Sequence, residues 1–479
     1  MAWPVTNSYH EVCLTHLVWL RNDLRLDDNP ALHAACQSGG PVMVVFIHDP
    51  AHEGRAGLGG ARTWWLEANL HAFGQKLRQE LGLTLHLYDG DSKKWLDHLT
   101  SKFAATQIYW NRSYEPAHVA RDKALKQHFA SKDLVVKSFA GNVLQEPFAI
   151  TTGGGGPYRV FTPFWKNLAQ KDIPHPLPQP KPCSGPQDDE ATSLADLKLH
   201  EADQGWGEKL AQYWPAGSNA GMQRFEEFVP LIGGYDEQRN RPDLPGTSKI
   251  SGYLTIGALS VRRLWWLVRE GLNIDDPVGN IFLSELGWRD FAQHLMFHFP
   301  TITTGNYKQE FDQFPWQEKD ELFQAWKWGK TGYPIVDAGM RELYATGFMH
   351  NRLRMITASF LTKHLRLDWR HGEAWFWDCL VDADLASNTA SWQWVAGSGA
   401  DAAPYFRIFN PITQGEKFDP QGNYTRKYVP ELAPLPNKIL QKPWTCPVPP
   451  AGYPKPVVDH ATARAEALAS YDRMRGKQI

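Results

Sequence analysis

Few cysteines, no long apolar run and almost no net charge set the first limits on this sequence. Its 479 residues include only five cysteines, Cys13, Cys36, Cys183, Cys379 and Cys446. They are scattered, with no CxxC and no Cys/His pair at zinc spacing. That argues against a disulfide framework or a structural zinc and fits a reducing compartment. No apolar run reaches the ~18–20 residues needed to span a bilayer. The opening MAWPVTNSYHEVC lacks a basic region followed by an apolar stretch, so a cytoplasmic location is expected. A formal net charge of −2 excludes a strongly basic nucleic-acid binder, though not a local basic face. With 42% hydrophobic and 21% charged residues, a disordered, collagen-like or coiled-coil chain is excluded as well. What is in excess is tryptophan, with 21 residues. The bland account is a large aromatic core; the sharper one is stacking or electron-transfer chemistry.

A chain this long is expected to split into two or more domains. Residues 17–20 (LVWL) read as a short strand, after which Asp28 or Asn29 can cap a helix with Pro30 in its first turn. Strands follow at 42–47, 83–88 and 105–110, with helices at 64–81 and 117–129. The alternation predicts a parallel α/β sheet over about the first 140 residues. TTGGGGP (151–157) then reads as a flexible turn, and the prolines between 173 and 190 as an extended connector. From about 218 onward the pattern is helical, with segments at 260–270, 279–297, 319–328, 334–346, 350–366, 372–380 and 458–475.

Three segments stand out chemically. GTSKIS (246–251), with Tyr235 upstream, puts hydroxyls and successive backbone N–H groups at a helix start, a phosphate seat or a plain helix cap. In MHNRLRM (349–355), Arg354 is placed to point inward while Arg352 faces solvent. A buried arginine needs a carboxylate, which Asp382 or Asp384 could supply. The third segment, 382–420, sets Asp382, Asp384 and Asn388 beside Trp392 and Trp394, which fall on different helical faces. It reads either as a buried turn with packing tryptophans or as a site.

These segments, with WLRNDLRLDDNPAL, YRVFTPFW (158–165), ELGWRDFAQHLM (285–296) and KTGYPIVDAGMRELYATGFMHNRLRM (330–355), resemble the photolyase/cryptochrome flavoprotein family. The likeness is strongest to its bacterial cyclobutane pyrimidine dimer photolyases of the class I and III type. The fold it implies is α/β plus all-α: a Rossmann-like antenna domain at 15–145, a linker at 146–215 and a helical FAD- and DNA-binding domain at 216–479. The activity it implies is a deoxyribodipyrimidine photo-lyase acting on UV-damaged DNA. Photoexcited reduced FAD donates an electron to the dimer, the cyclobutane bonds split and the electron returns.

The resemblance also implies roles for residues. Tyr235, Thr247, Ser248, Lys249, Ile250 and Ser251 match the FAD phosphate-binding stretch. Arg354 and Asp382 match an ion pair over the isoalloxazine, with Ala383 and Asp384 beside it. Asn388 matches the residue facing flavin N5. Asparagine there looks like a repair enzyme, since plant cryptochromes usually carry aspartate and animal ones cysteine. Trp392, Trp369 and Trp316 match the electron-transfer chain, whereas Trp375 and Trp377 read as packing. Glu285, Trp288, Asn351, Met355 and Trp394 match the dimer pocket, and Glu285 and Asn351 also border the flavin. Arg239, Arg289, Arg352, Arg407 and Gln414 match DNA contacts. A single histidine, His350, argues against (6-4) repair and reads as structural. The antenna is expected to be 5,10-methenyltetrahydrofolate, with deazaflavin as the alternative. At the sheet edge, where α/β sheets bind ligands, lie His48, Asp49, Trp110 and Asn111. The Asn-Glu pair of one known pterin site is replaced by Ala117 and His118. Gly287 and Phe348 stand where bulkier apolar residues are common. The runner-up function is a blue-light signalling cryptochrome, and a monomer is expected.

Overall fold

The computed structural model describes residues 15–52, 57–199, 205–402 and 406–476. Cys13 and residues 403–405 of the 382–420 segment lie outside them. Five parallel strands, β1 (His16–Leu20), β2 (Val42–His48), β3 (Leu85–Asp89), β4 (Gln107–Asn111) and β5 (Val135–Phe139), form a sheet in the order β3-β2-β1-β4-β5. Leu17 pairs with Met43 on one side and Ile108 on the other, so the order reverses between β1 and β4. Every central-strand residue is covered because helices pack on both faces, as parallel sheets require. Val18, Val44 and Phe46 face α1 (Pro30–Gln37) and α2 (Gly60–Leu81). Leu17, Trp19 and Val45 face α3 (Ser92–Lys102) and α4 (Pro116–Ala130). Of the two expected caps for α1, Asn29 is the one used, its Oδ1 accepting from Leu32 N at 3.2 Å.

The segment 146–215, expected to be a linker, is only partly one. Its FTPFWKNLA stretch forms α5 (Phe161–Ala169), which buries Phe161, Phe164, Trp165 and Leu168 in the same core as the helical domain. The proline-rich part beyond it runs extended back along the sheet, with Val42 N donating to Ser184 O at 2.8 Å.

The helical domain opens with α6 (Gly207–Ala211), α7 (Ser218–Phe228), α8 (Tyr235–Gln238), α9 (Ser251–Thr255), α10 (Val261–Gly271) and α11 (Ile281–His298). It continues with α12 (Asp320–Lys327), α13 (Pro334–Thr346), α14 (Asn351–Ser359), α15 (Trp369–Cys379) and α16 (Leu385–Ala396). It closes with α17 (Pro411–Phe418), α18 (Asn423–Tyr428), α19 (Asn437–Leu440) and α20 (His460–Met474). The helix expected over 350–366 is α14 followed by a π-helical turn, Phe360–His364. Two cores divide the domain, one around α5, α10 and α11, the other around α13 to α15.

Several tryptophans fill the cores. Trp19, Trp65, Trp110, Trp265, Trp326 and Trp369 are among the largest fully buried side chains. Trp65, from α2, lies edge-on to Trp214 and Tyr253 of the helical domain, and its Nε1 donates to Gly252 O at 2.9 Å. Polar contacts join the domains as well. Arg262 pairs with Asp28 and Arg263 with Asp27, Gly60 N donates to Asp378 Oδ1 at 3.0 Å, and Arg62 donates to the Ala383 carbonyl.

Candidate functional site

Three of the standout segments converge. Arg354, on α14, donates through Nη2 to both oxygens of Asp382, at 3.0 and 2.8 Å, and through Nε to Met349 O at 2.7 Å. Asp382 is therefore the carboxylate that Arg354 needs, and Asp384 is not. Ser251, the first residue of α9, donates to Asp382 Oδ2 at 2.6 Å, which ties GTSKIS to the same pair. Lys249 just before it is in the left-handed region at φ 51°. Asp384 instead caps α16, accepting from Ser387 N at 2.8 Å, and accepts from Gln293 of α11 at 3.1 Å. One turn on, the buried Asn388 donates from Nδ2 to Glu373 O at 3.0 Å, and no described residue bonds its Oδ1.

The start of α14 explains itself. His350 caps it, its Nδ1 accepting from Arg352 N at 3.1 Å. Its own N–H donates to Glu342 Oε2 at 3.1 Å, and Tyr424 donates to the same oxygen at 2.6 Å. Burial, reinforced by Lys249 and neighbouring arginines, pushes the imidazole down to about 3, so it is neutral and structural.

Glu285 and Trp288 project from α11. Glu285 is half-buried and pairs with Arg239 Nη1 at 2.6 Å. Burial raises its carboxyl above the ordinary glutamate value, while the Arg239 guanidinium opposes part of the rise. Trp288 is 36% exposed, and one of its faces lies on Phe161, with ring centroids 3.7 Å apart and planes 10° apart. Asn351 is exposed and Met355 half-buried, both on α14, which packs on α16. Trp394 is half-buried beside Arg407, Phe409 and Lys363, while Trp392 faces the core at 2% exposure. Trp392 comes so close to α15 that a Cβ on Gly372 would lie 2.1 Å from its Cη2. Trp369 begins α15, its Nε1 donating to Asn306 Oδ1 at 2.9 Å, and Trp316 lies on the half-buried rim against Phe314 at 4.3 Å.

Comparison with known proteins settles the family. The sequence model of the DNA photolyase family matches residues 16–182, and that of the FAD binding domain of DNA photolyase matches residues 282–473. The deoxyribodipyrimidine photo-lyase of Agrobacterium fabrum is 46% identical over 470 residues, covering 95% of this chain and 97% of its own. The chain belongs to the DNA photolyase family. The deoxyribodipyrimidine photo-lyase of Escherichia coli, another photolyase, is 38% identical, covering 96% of this chain and 99% of its own. A solved bacterial class III photolyase from Agrobacterium tumefaciens superposes with a TM-score of 0.92 at 44% identity, covering 97% of this chain and 98% of that one.

Against the photolyase expectation, the DNA-contact residues divide. Arg407 is exposed and lies over Phe409, and Gln414 is half-buried on α17. Arg352 lies over Phe418 and donates to Asn240 Oδ1 at 2.6 Å, so it is half committed. Arg239 is held by Glu285. Arg289 turns away to the Asn142 carbonyl and lies 3.8 Å from Asp290, in the joint with the end of the sheet domain. Among the antenna-edge residues, Asn111 donates to Asp23 and Asn29 at 2.6 and 2.7 Å, Glu146 is bound by Arg112 at 2.6 Å, and His118 lies 2.8 Å from Ser113 Oγ. Sequence reasoning missed Gln293 and Arg62. Gln293 had a signal, since it stands eight residues after Glu285 on one helical face. Arg62 had none, because it comes from the other domain.

Proposed function

We infer that this chain is a light-driven DNA repair lyase that splits cyclobutane pyrimidine dimers into monomers, with FAD as its catalytic cofactor. The observation that carries the reading is the Arg354–Asp382–Ser251 cluster, with Asn388 on the helix that Asp384 caps, in a chain of this family. The donor set fits FAD. Hydroxyls at Thr247 and Ser248 and the backbone N–H of Ser251, with Tyr235, Ile250 and the Lys249 cation, suit a pyrophosphate. The Arg354–Asp382 pair, flanked by Ala383 and Asp384, suits a polar ring edge. Bound reduced FAD supplies one-electron donation on light absorption. Asn388 contributes an uncharged amide whose carbonyl oxygen has no partner among the described residues, and so offers no acidic proton. This favours repair over cryptochrome signalling.

The substrate reading assigns Glu285, Asn351, Trp288, Met355 and Trp394 to a dimer flipped from the duplex. Trp288 and Trp394 wedge its rings, and Glu285 and Asn351 hydrogen-bond its carbonyl edge. Two C–C bonds of the cyclobutane ring break and the electron is recovered, so the cycle has no net redox change and needs no nucleophile. Arg352, Arg407 and Gln414 position the strand through phosphates. Trp392, Trp369 and Trp316 carry electrons inward from the surface. The 15–145 domain is taken to hold an antenna of the methenyltetrahydrofolate type, with deazaflavin as the alternative. ARTWWLEANL and QEPF, with Glu146, support the folate, bound otherwise than at the pterin site whose Asn-Glu pair is Ala117 and His118 here. Mass spectrometry of the chromophore released from purified protein decides between them. The enzyme is taken to act as a cytoplasmic monomer.

The deciding assay is recovery of intact thymines from a thymine dimer in single-stranded and duplex DNA. It uses purified, photoreduced protein in light and in darkness. Recovery only in the light is the expected result. No recovery with FAD bound and reduced would overturn the reading.

A further inference from the structure

We propose that Phe161, from the segment joining the two domains, is a positioning residue for substrate: it fixes the plane of Trp288 so that one indole face is left to meet the dimer. The proposal rests on the reading of Trp288 as a wall of the dimer pocket. An aromatic ring has two faces, and Phe161 covers one of those of Trp288 at 3.7 Å and 10°. Phe161 itself is 8% exposed, against 36% for Trp288, so the covering ring belongs to the core and the covered one to the surface.

Phe161 is fixed from three sides. Its backbone N–H donates to Asp401 Oδ2 at 3.2 Å, at the opening of α5. Phe291 meets it edge-on at 5.8 Å, and Trp165 lies nearly parallel behind it, 6.4 Å away at 8°. Trp165 is anchored in turn by Nε1 donating to Val278 O at 2.9 Å. It occupies space that only glycine leaves open, because a Cβ on Gly287 would lie 2.5 Å from Trp165 Cε3. Gly287 sits between Glu285 and Trp288 on α11, where the sequence departs from the usual bulkier residue. The departure thus admits Trp165, and Trp165, Phe161 and Trp288 form a layered support reaching from the core to the pocket rim. An exposed indole with no such support would lose rotamer freedom on binding; this one has lost it already.

The test compares Phe161→Leu, Phe161→Tyr and Trp288→Ala in the FAD-loaded protein. The readout is Kd for an oligonucleotide carrying one thymine dimer and for the same oligonucleotide undamaged. Phe161→Leu keeps apolar volume but removes the flat face. It is expected to weaken dimer binding about 3- to 10-fold, the worth of one aromatic stack. FAD content and binding of undamaged DNA are expected to stay the same. Phe161→Tyr is expected to restore discrimination. Adding Phe161→Leu to Trp288→Ala is expected to do nothing more, which a merely structural role would not produce. Dimer discrimination lost in Trp288→Ala but intact in Phe161→Leu overturns this inference alone. Discrimination intact in Trp288→Ala overturns the pocket reading of Trp288 and the inference with it.

Discussion

Replacing Gly372 by alanine puts the tryptophan chain to a physical test. The added methyl would lie 2.1 Å from Trp392 Cη2 and 2.6 Å from Leu361 Cδ2. Carbon atoms settle at ~3.5–4.0 Å, so something must move by about 1.4 Å. The leucine sits in the π-helical turn and Trp392 is wedged edge-on against Phe376 at 4.9 Å, so neither yields freely. Alanine in a helix gains about 1 kcal/mol over glycine, whereas overpacking a core costs about 1–3 kcal/mol. The net expectation is a loss of about 1 kcal/mol, read as a lower unfolding midpoint. Trp392 is also pushed from α15, the helix that starts at Trp369, so photoreduction of the flavin under constant blue light with a thiol donor is expected to slow. Repair by protein reduced chemically beforehand is expected to be untouched. Normal photoreduction in a destabilised variant would refute the role of Trp392. Unchanged stability would refute the tightness of the contact.

Further outcomes are expected at other positions. Asp290, buried and raised to about 7 by desolvation, accepts from Leu144 and Gln145 N–H groups through Oδ2, while its Oδ1 has no hydrogen-bond partner among the described residues. The fold thus favours the neutral acid, so this contribution is full below about pH 4 and is lost as pH rises through about 7. The loss is about 4 kcal/mol at most, and Asp290→Asn is expected to flatten the urea midpoint between about pH 5 and 8. Asp382→Asn leaves Arg354 unpaired and is expected to cost about 3 kcal/mol, since Arg354 keeps some contact with water. FAD retention on gel filtration checks it. Arg407→Ala is expected to weaken damaged and undamaged DNA alike and to reduce the salt slope of log K by about 1. Cys36 and Cys183 Sγ atoms lie 3.2 Å apart on half-buried residues. Glutathione disulfide is expected to join them, releasing two glutathione thiols, and Cys183→Ser to prevent it; thiol titration reads the result.

The sheet and most long helices were legible because their periodicity is strong: VMVVFI and WWLEANL allow little else. β5 was not, because VVKSF is an edge strand with alternating exposure and no apolar run. α3 escaped for the same kind of reason, being largely polar. α5 hid in a stretch dominated by glycine before it and proline after it. In the site, a need for a carboxylate pointed to Asp382 or Asp384; the family resemblance favoured Asp382, and the packing agrees. That Arg289 faces the end of the sheet domain was beyond reach, since the Asn142 carbonyl it meets is 147 residues away. The layered support behind Trp288 was equally invisible: Gly287 looked like a mere departure until Trp165 was seen in its place.

The seam made by Trp65, Arg62, Arg262 and Arg263 has an optical consequence. Dipole–dipole energy transfer depends on the mutual angle of two chromophores as well as on their separation. Indole, guanidinium and carboxylate contacts tie the two domains together at this seam from several directions. A light collector in the sheet domain and an acceptor among the helices would therefore keep one alignment, whether DNA is docked or absent. The angular part of any such transfer would then be set at folding, like the angle between two elements cemented in one mount.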